Sequence, residues 1–244
     1  MGGIPHYLKE IKKGESAIQA IDRTCFTKDG LLFDEFSNLF LSLFDDAGYH
    51  MDVIRAIAKK GMGLSKNEII VACKLSSGGD ITKLLKKLTE SGFITPYLPF
   101  DRTAKDSIYK LTDEYSLFYV KFIEHTKFKM TGTWERFSTG ASRKSWSGIA
   151  FESVCMKHET ALKAALGIGS VHTETSMWRY RSAKDEKGAQ IALLIDKRDH
   201  CINVCEIKFS KDKFEITKAY AVELENKLKV FRVIPKPVKH YFLL

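Results

Sequence analysis

Glu206-Ile207-Lys208 sits at the end of an apolar stretch, residues 201–209, and sets a carboxylate and an ammonium two residues apart. On a strand, residues two apart point to the same side. Such a pair can hold a divalent cation and a phosphate oxygen together, and metal-assisted phosphodiester cleavage needs both. The preceding apolar run, residues 190–196, alternates so that Gln190, Ala192, Leu194 and Asp196 share one face and Ile191, Leu193 and Ile195 the other. Ala192 thus occupies the less apolar face, where a second carboxylate would complete a metal pair.

Hairpin parity makes that reading specific. Pairing Asp196 with Ile202 leaves a five-residue loop, sets Ala192 opposite Glu206 and Gln190 opposite Lys208, and predicts a Cβ separation of roughly 4.5 to 5.5 Å for the first pair. Asp196 shares Ala192's face but lies four residues on, roughly 13 Å by strand rise, too far to share a metal with Glu206. A salt-bridged pair at a strand end is the plain alternative for Glu206 and Lys208. Charged side chains are, however, depleted in so apolar a strand unless they are paired or functional.

The elements that must position these residues follow from periodicity. Phe33, Phe36, Phe40, Leu43 and Phe44 form an apolar stripe on a helix within residues 31–47. A helix over 51–60 ends at Gly61, and Ser65 caps a second helix to about residue 73, with Glu68 completing a capping box. A third helix, 80–91, carries Lys83, Lys86 and Lys87 outside and Ile81, Leu84, Leu85 and Leu88 inside. Two short strands, 93–97 and 107–111, are joined by a polar loop containing Pro99, Asp101 and Arg102. This is the pattern of a winged helix, whose third helix enters the DNA major groove. The same lysines also fit a merely solvated face.

A connecting helix over 117–127 leads to a polar, basic stretch, 134–147, which marks a domain boundary. A helix over 147–166 follows, with Glu152 near its start, where the helix dipole favours a carboxylate whatever its role. Strands over 172–180, 190–196 and 202–209, a helix over 213–230 and a last apolar piece complete the chain. The expected domains are a helical segment 1–48, a winged helix with its connecting helix 49–132, and an α/β domain 133–244.

Composition bounds the partners. The 244 residues carry 39 Lys and Arg against 30 Asp and Glu, a formal charge of +9 that favours polyanions. Five cysteines without a CxxC pair suit a reducing compartment. A zinc site from Cys201, Cys205 and His200, or Cys155 and His158, lacks four ligands at finger-like spacing. No apolar run approaches the roughly 18 to 20 residues of a membrane span, so the expectation is a cytoplasmic protein with no membrane partner.

The order helix, strand, strand, strand, helix, strand, with Glu152 on the first helix and Glu206-x-Lys208 on the third strand, resembles the PD-(D/E)xK nuclease fold. That resemblance implies magnesium bound by a second-strand carboxylate and the Glu of the ExK motif. The lysine there orients the attacking water or stabilises developing charge, and the first-helix Glu assists. Residues 111–119, 148–152, 188–191 and 205–210 also look like the C-terminal half of archaeal-type AAA ATPases, and Gly2-Gly3-Ile4-Pro5 with Tyr7 and Leu8 looks like the lid closing the ATPase module there. The family's Gln-Ile-Asp on the second strand reads Gln190-Ile191-Ala192 here, and a methyl group cannot coordinate magnesium. No G-x-x-x-x-G-K-[ST] loop is present, so an ATP site of the family's kind is not expected.

The resulting expectation is a DNA-binding C-terminal piece of such an ATPase, with a nuclease-like domain inactive or severely impaired in this form. A parent with Asp at 192 would be a magnesium-dependent endonuclease using Glu206 as ligand, Lys208 as stabiliser and Glu152 as accessory. Ala192→Asp is then expected to restore magnesium binding and cleavage. The alternative is a non-catalytic interaction module docking onto an AAA ATPase partner or a second copy of the chain.

Overall fold

Aromatic side chains organise the first of two compact units, residues 1–96 with 108–150; the second comprises residues 97–107 with 151–244. The structure, a computed structural model, describes residues 2–126, 132–137, 140–180, 188–197, 201–210, 212–232 and 240–243.

In the first unit, α1 (Pro5–Leu8), α2 (Ala17–Cys25) and α3 (Glu35–Leu43) precede α4 (Ala47–Lys60), β1 (Leu64–Ser65), α5 (Lys66–Cys73) and α6 (Gly79–Glu90). Then come β2 (Ile94–Tyr97), β3 (Ile108–Leu111), α7 (Glu114–Phe118), a π-helical turn (Tyr119–Ile123), α8 (Thr133–Phe137) and α9 (Ala141–Lys157). The three strands lie in the order β1-β3-β2. Gly63, at φ +81°, turns the chain into β1, and a Cβ there would lie 2.7 Å from the Tyr109 carbonyl oxygen. That close approach demands glycine.

The capping box forms as the sequence requires: the Glu68 amide donates to Ser65 Oγ, and the Ser65 amide donates to Glu68 Oε2 at 2.8 Å. On α6, Ile81, Leu85 and Leu88 are buried and the three lysines are exposed. The phenylalanine stripe is narrower than expected, because Phe36, Phe40 and Phe44 enter the core while Leu43 faces solvent.

The stretch in which the sequence suggests a domain boundary begins with a core residue. Trp134 is buried among Phe26, Phe118, Phe122 and Trp146, and its amide donates to the buried Asp22 carboxylate at 2.7 Å. An indole of that size packed in a core ties its flanking chain to the unit. The compact division consequently falls at 150/151, inside α9. The helix expected over 147–166 is two helices, α9 and α10 (Glu159–Ala165), broken at His158.

The second unit is built on a four-stranded sheet in the order β4 (Glu174–Tyr180), β5 (Ala189–Asp196), β6 (Cys201–Cys205), β7 (His240–Leu243). The first three strands are antiparallel, and β7 runs parallel to β6 after the crossover helix α11 (Lys218–Arg232). Helices cover both faces. Leu193, Ile195 and Cys205 pack with Met156 of α9 and Leu162 of α10, whereas Leu194, Ile202 and Val204 pack with Leu228 and Phe231 of α11. The protein is thus a mixed α+β chain. Among the described residues no helix is long and apolar enough to cross a membrane.

The loop between β2 and β3, the wing of the sequence pattern, is bonded to β4. Residues 97–107 belong to the second unit, where Phe100 donates its amide to the Met177 carbonyl at 2.7 Å and Met177 donates to Leu98 at 3.2 Å. Pro99 bridges Met177 in parallel, and the Phe100 ring stands edge-on to Phe231 at 5.4 Å. β4 is an edge strand, and the loop takes up the amide and carbonyl of Met177 on it.

Candidate functional site

The hairpin register is the one that loop parity predicts. Asp196 pairs with Ile202, and the ladder continues through Ile195 with Asn203 and Leu194 with Val204 to Leu193 with Cys205. The paired ladder ends there, one residue short of Ala192 on β5 and of Glu206 beyond β6.

Two local departures qualify the site. First, β6 ends at Cys205 rather than continuing to Phe209, so Glu206 and Lys208 lie just beyond the last paired residue. Alternation nevertheless persists. Ile207 packs on the α9 face and Phe209 lies against Phe151 at 5.8 Å, while Glu206 reaches α11. Second, β5 carries a bulge: Ser176 faces Leu194 but Trp178 faces Ile191, so Ala192 and Leu193 together lie opposite Met177. The extra residue reverses the alternation beyond it, and Ile191 joins Leu194 in the α11-facing core. The expectation that Ile191 shares a face with Leu193 is therefore corrected. Gln190 changes sides with it, and Ala192, 8% exposed, lies within the bulge itself, beyond the last β5–β6 pair.

Glu206 is held from three directions. Lys227 donates to both carboxylate oxygens at 2.9 Å, the Tyr220 hydroxyl donates to Oε1 at 2.7 Å, and Lys208 Nζ lies 3.6 Å from the same oxygen. Lys208 also sits over the Tyr220 ring, 5.1 Å from its centroid. Burial, followed by the hydrogen bond to Glu206, pushes the Tyr220 hydroxyl pKa up, so it stays a donor. The Glu206 side chain is 16% exposed and that of Lys208 47%, which leaves the latter ammonium open to solvent.

Tyr220 and Lys227 were not singled out from the sequence, although a signal existed. Tyr220, Leu224, Lys227 and Phe231 recur at helical spacing on α11, and Leu224 and Phe231 are buried. A tyrosine and a lysine therefore interrupt the sheet-facing stripe, just where the carboxylate emerges.

Glu152 is half-buried on α9, near enough to Cys155 for its charge, after burial, to push that thiol's pKa up. It lies one turn before Met156, whose side chain packs against Leu193 and Cys205. The described contacts thus place Glu152 with the helix on one face and join Glu206 to the helix on the other.

The donor set does not fit magnesium. Position 192 offers a methyl group, and both Glu206 oxygens already accept from an ammonium. Among the described residues no group of three or more His, Cys, Asp or Glu is placed to hold a metal ion. His200, considered for zinc, lies outside the described residues. No disulfide links the five cysteines, and burial raises the Cys205 thiol to about 11.

Lys83, Lys86 and Lys87 share one stripe of α6 in the first unit. Lys83 pairs with Asp80 at 3.8 Å and Lys86 with Glu90 at 3.6 Å, both at the exposed surface. Lys83 and Lys87 also line a cavity of about 470 Å³ with Lys74, Tyr49 and His50. Comparison with known protein families, curated proteins and solved structures gives no match for this chain.

Proposed function

We propose that this chain is a DNA-binding protein related to the C-terminal region of archaeal-type ATPases, pairing a winged helix with a PD-(D/E)xK-like domain that has lost its metal pair. One observation carries the reading. The β5–β6 ladder runs in the register the reading needs, from Asp196 with Ile202 to Leu193 with Cys205, stopping one residue short of Ala192 and Glu206, and Lys208 Nζ lies 3.6 Å from Glu206. The order of three antiparallel strands, a crossover helix and a fourth strand parallel to the third supports the nuclease-like assignment of the second unit. In the first unit, the strand order β1-β3-β2 around α4, α5 and α6 supports the winged helix.

DNA contact is assigned to Lys83, Lys86 and Lys87 on α6. Their ion pairs with Asp80 and Glu90 are solvent-exposed and weak enough for phosphates to replace them.

The decisive experiment is a salt titration of duplex DNA binding, comparing the protein with the triple variant Lys83→Glu, Lys86→Glu, Lys87→Glu. Loss of affinity together with a shallower salt slope supports phosphate contact through α6. Unchanged binding removes α6 from the interface. The second reading, an interaction module for an ATPase partner, is favoured by the exposed Val71 and Leu41 on the first unit. It predicts negligible DNA affinity for both proteins.

A further inference from the structure

The segment after β6 combines three features that a vestigial metal site alone does not require. A fixed ammonium, Lys227, neutralises Glu206; a second, Lys208, remains open to solvent beside it. Exposed aromatic rings flank the pair. Phe214, 48% exposed, stands edge-on to Tyr220 at 5.6 Å, and Tyr220 in turn lies under Lys208. Phe209 and Ile216 are exposed on the same segment.

We propose that Lys208, Lys227, Tyr220 and Phe214 form a metal-independent subsite for single-stranded nucleic acid, in which the two ammonium groups take a backbone phosphate and Phe214 stacks an unpaired base. This deepens the DNA-binding reading and rests on it for the class of ligand. The anion is drawn by Lys208: Lys227 already counters Glu206, the Lys208 side chain is 47% exposed, and of the other carboxylates Glu223 acts on the Tyr220 hydroxyl. An ammonium has three donors, so Lys227 keeps one after engaging both oxygens of Glu206. The work a divalent ion would do at the phosphate, countering the Glu206 charge and attracting oxygen, falls to Lys227. An unpaired strand is the matching ligand because a stacking ring needs a base face, which a duplex keeps within its own stack.

The test uses a fluorescently labelled oligothymidylate of about six nucleotides, within the span of a single-strand site, followed by anisotropy in EDTA and in magnesium. The intact protein is expected to bind it in EDTA, with affinity unchanged by magnesium. Lys208→Gln and Phe214→Ala should each weaken binding about tenfold, and Phe214→Tyr should retain it. Lys227→Gln strands Glu206 and could unfold the site, so the double variant Glu206→Gln, Lys227→Gln is the matched control, expected to fold and to bind about tenfold more weakly. Binding that appears only with magnesium overturns the proposal, as does full affinity in Phe214→Ala, which would make the exposed rings a protein-docking face. The α6 triple variant separates the two readings. If duplex binding proves absent while the oligothymidylate still binds, the α6 interface fails and this subsite stands; the converse result sinks the subsite alone.

Discussion

Lys227 grips Glu206 through both carboxylate oxygens at 2.9 Å, joining α11 to the chain just past β6. The two side chains are mostly covered, at 25% and 16% exposure, so neither is easily compensated by water. Removing Lys227 takes two charge-assisted hydrogen bonds from Glu206 and leaves it the Tyr220 hydroxyl and the more distant Lys208. Lys227→Gln is therefore expected to cost about 1 to 3 kcal/mol of unfolding free energy, and the double variant with Glu206→Gln to recover much of it. A double-mutant cycle by urea denaturation measures the coupling, and additivity of the two single changes would show the ion pair to be inert.

The same grip changes what restoring a carboxylate should do. Ala192→Asp by itself is expected to leave magnesium binding weak, because Lys227 already neutralises Glu206. Ala192→Asp with Lys227→Gln should bring up manganese binding detectable by electron paramagnetic resonance, together with nicking of supercoiled plasmid. Adding Lys208→Ala should abolish the nicking but leave the metal bound. Equal metal affinity in the Ala192→Asp single variant and in the double variant would show that Lys227 does not compete with the ion.

Charge reversal on α6 should act without unfolding. Lys83, Lys86 and Lys87 are exposed, whereas Ile81, Leu85 and Leu88 carry the packing. Circular dichroism and melting temperature should stay close to those of the unaltered protein, and the log–log salt slope of duplex binding should fall by about 0.9 for each phosphate that is no longer neutralised.

Acid sensitivity should report on the first unit. The hydrogen bond from Arg23 holds the Glu15 carboxyl well below its ordinary 4.5, at about 2. A depressed carboxyl contributes stability that is fully present above its unfolded value and is lost as pH falls through the folded one. Unfolding free energy should therefore decline between about pH 4.5 and 2, and Glu15→Gln should flatten that part of the curve. An acid limb of the same steepness in Glu15→Gln would exclude this pair as its source.

How much of this was legible in the sequence depends on how local the cause is. Ser65 and Glu68 cap α5 as their spacing requires, since a capping box is complete within four residues. Asp196 meets Ile202 because loop length and strand parity leave few other pairings. The α6 stripe follows from period alone. The bulge at Ala192 and Leu193 carries no glycine or proline to announce it, so strict alternation placed Ile191 on the wrong face. Tyr220 and Lys227 join Glu206 from 14 and 21 residues away, on a helix whose rotation only the packed sheet decides. Trp134 begins a polar, basic stretch that reads as a domain boundary, yet its indole is buried, which the polarity of its neighbours does not announce.

The loop that caps β4 also bears on how the chain folds and how it can be divided. Residues 97–107 are synthesised well before Met177, so the exposed edge of the second sheet is completed by a stretch that leaves the ribosome while that sheet is still unmade. A fragment covering 151–244 alone lacks its own edge cover and the Phe100 ring against Phe231. Such a fragment is expected to aggregate through β4, and supplying residues 97–107 as a separate peptide should suppress that aggregation. The two units are thus separable by compactness and yet inseparable by a single cut of the backbone.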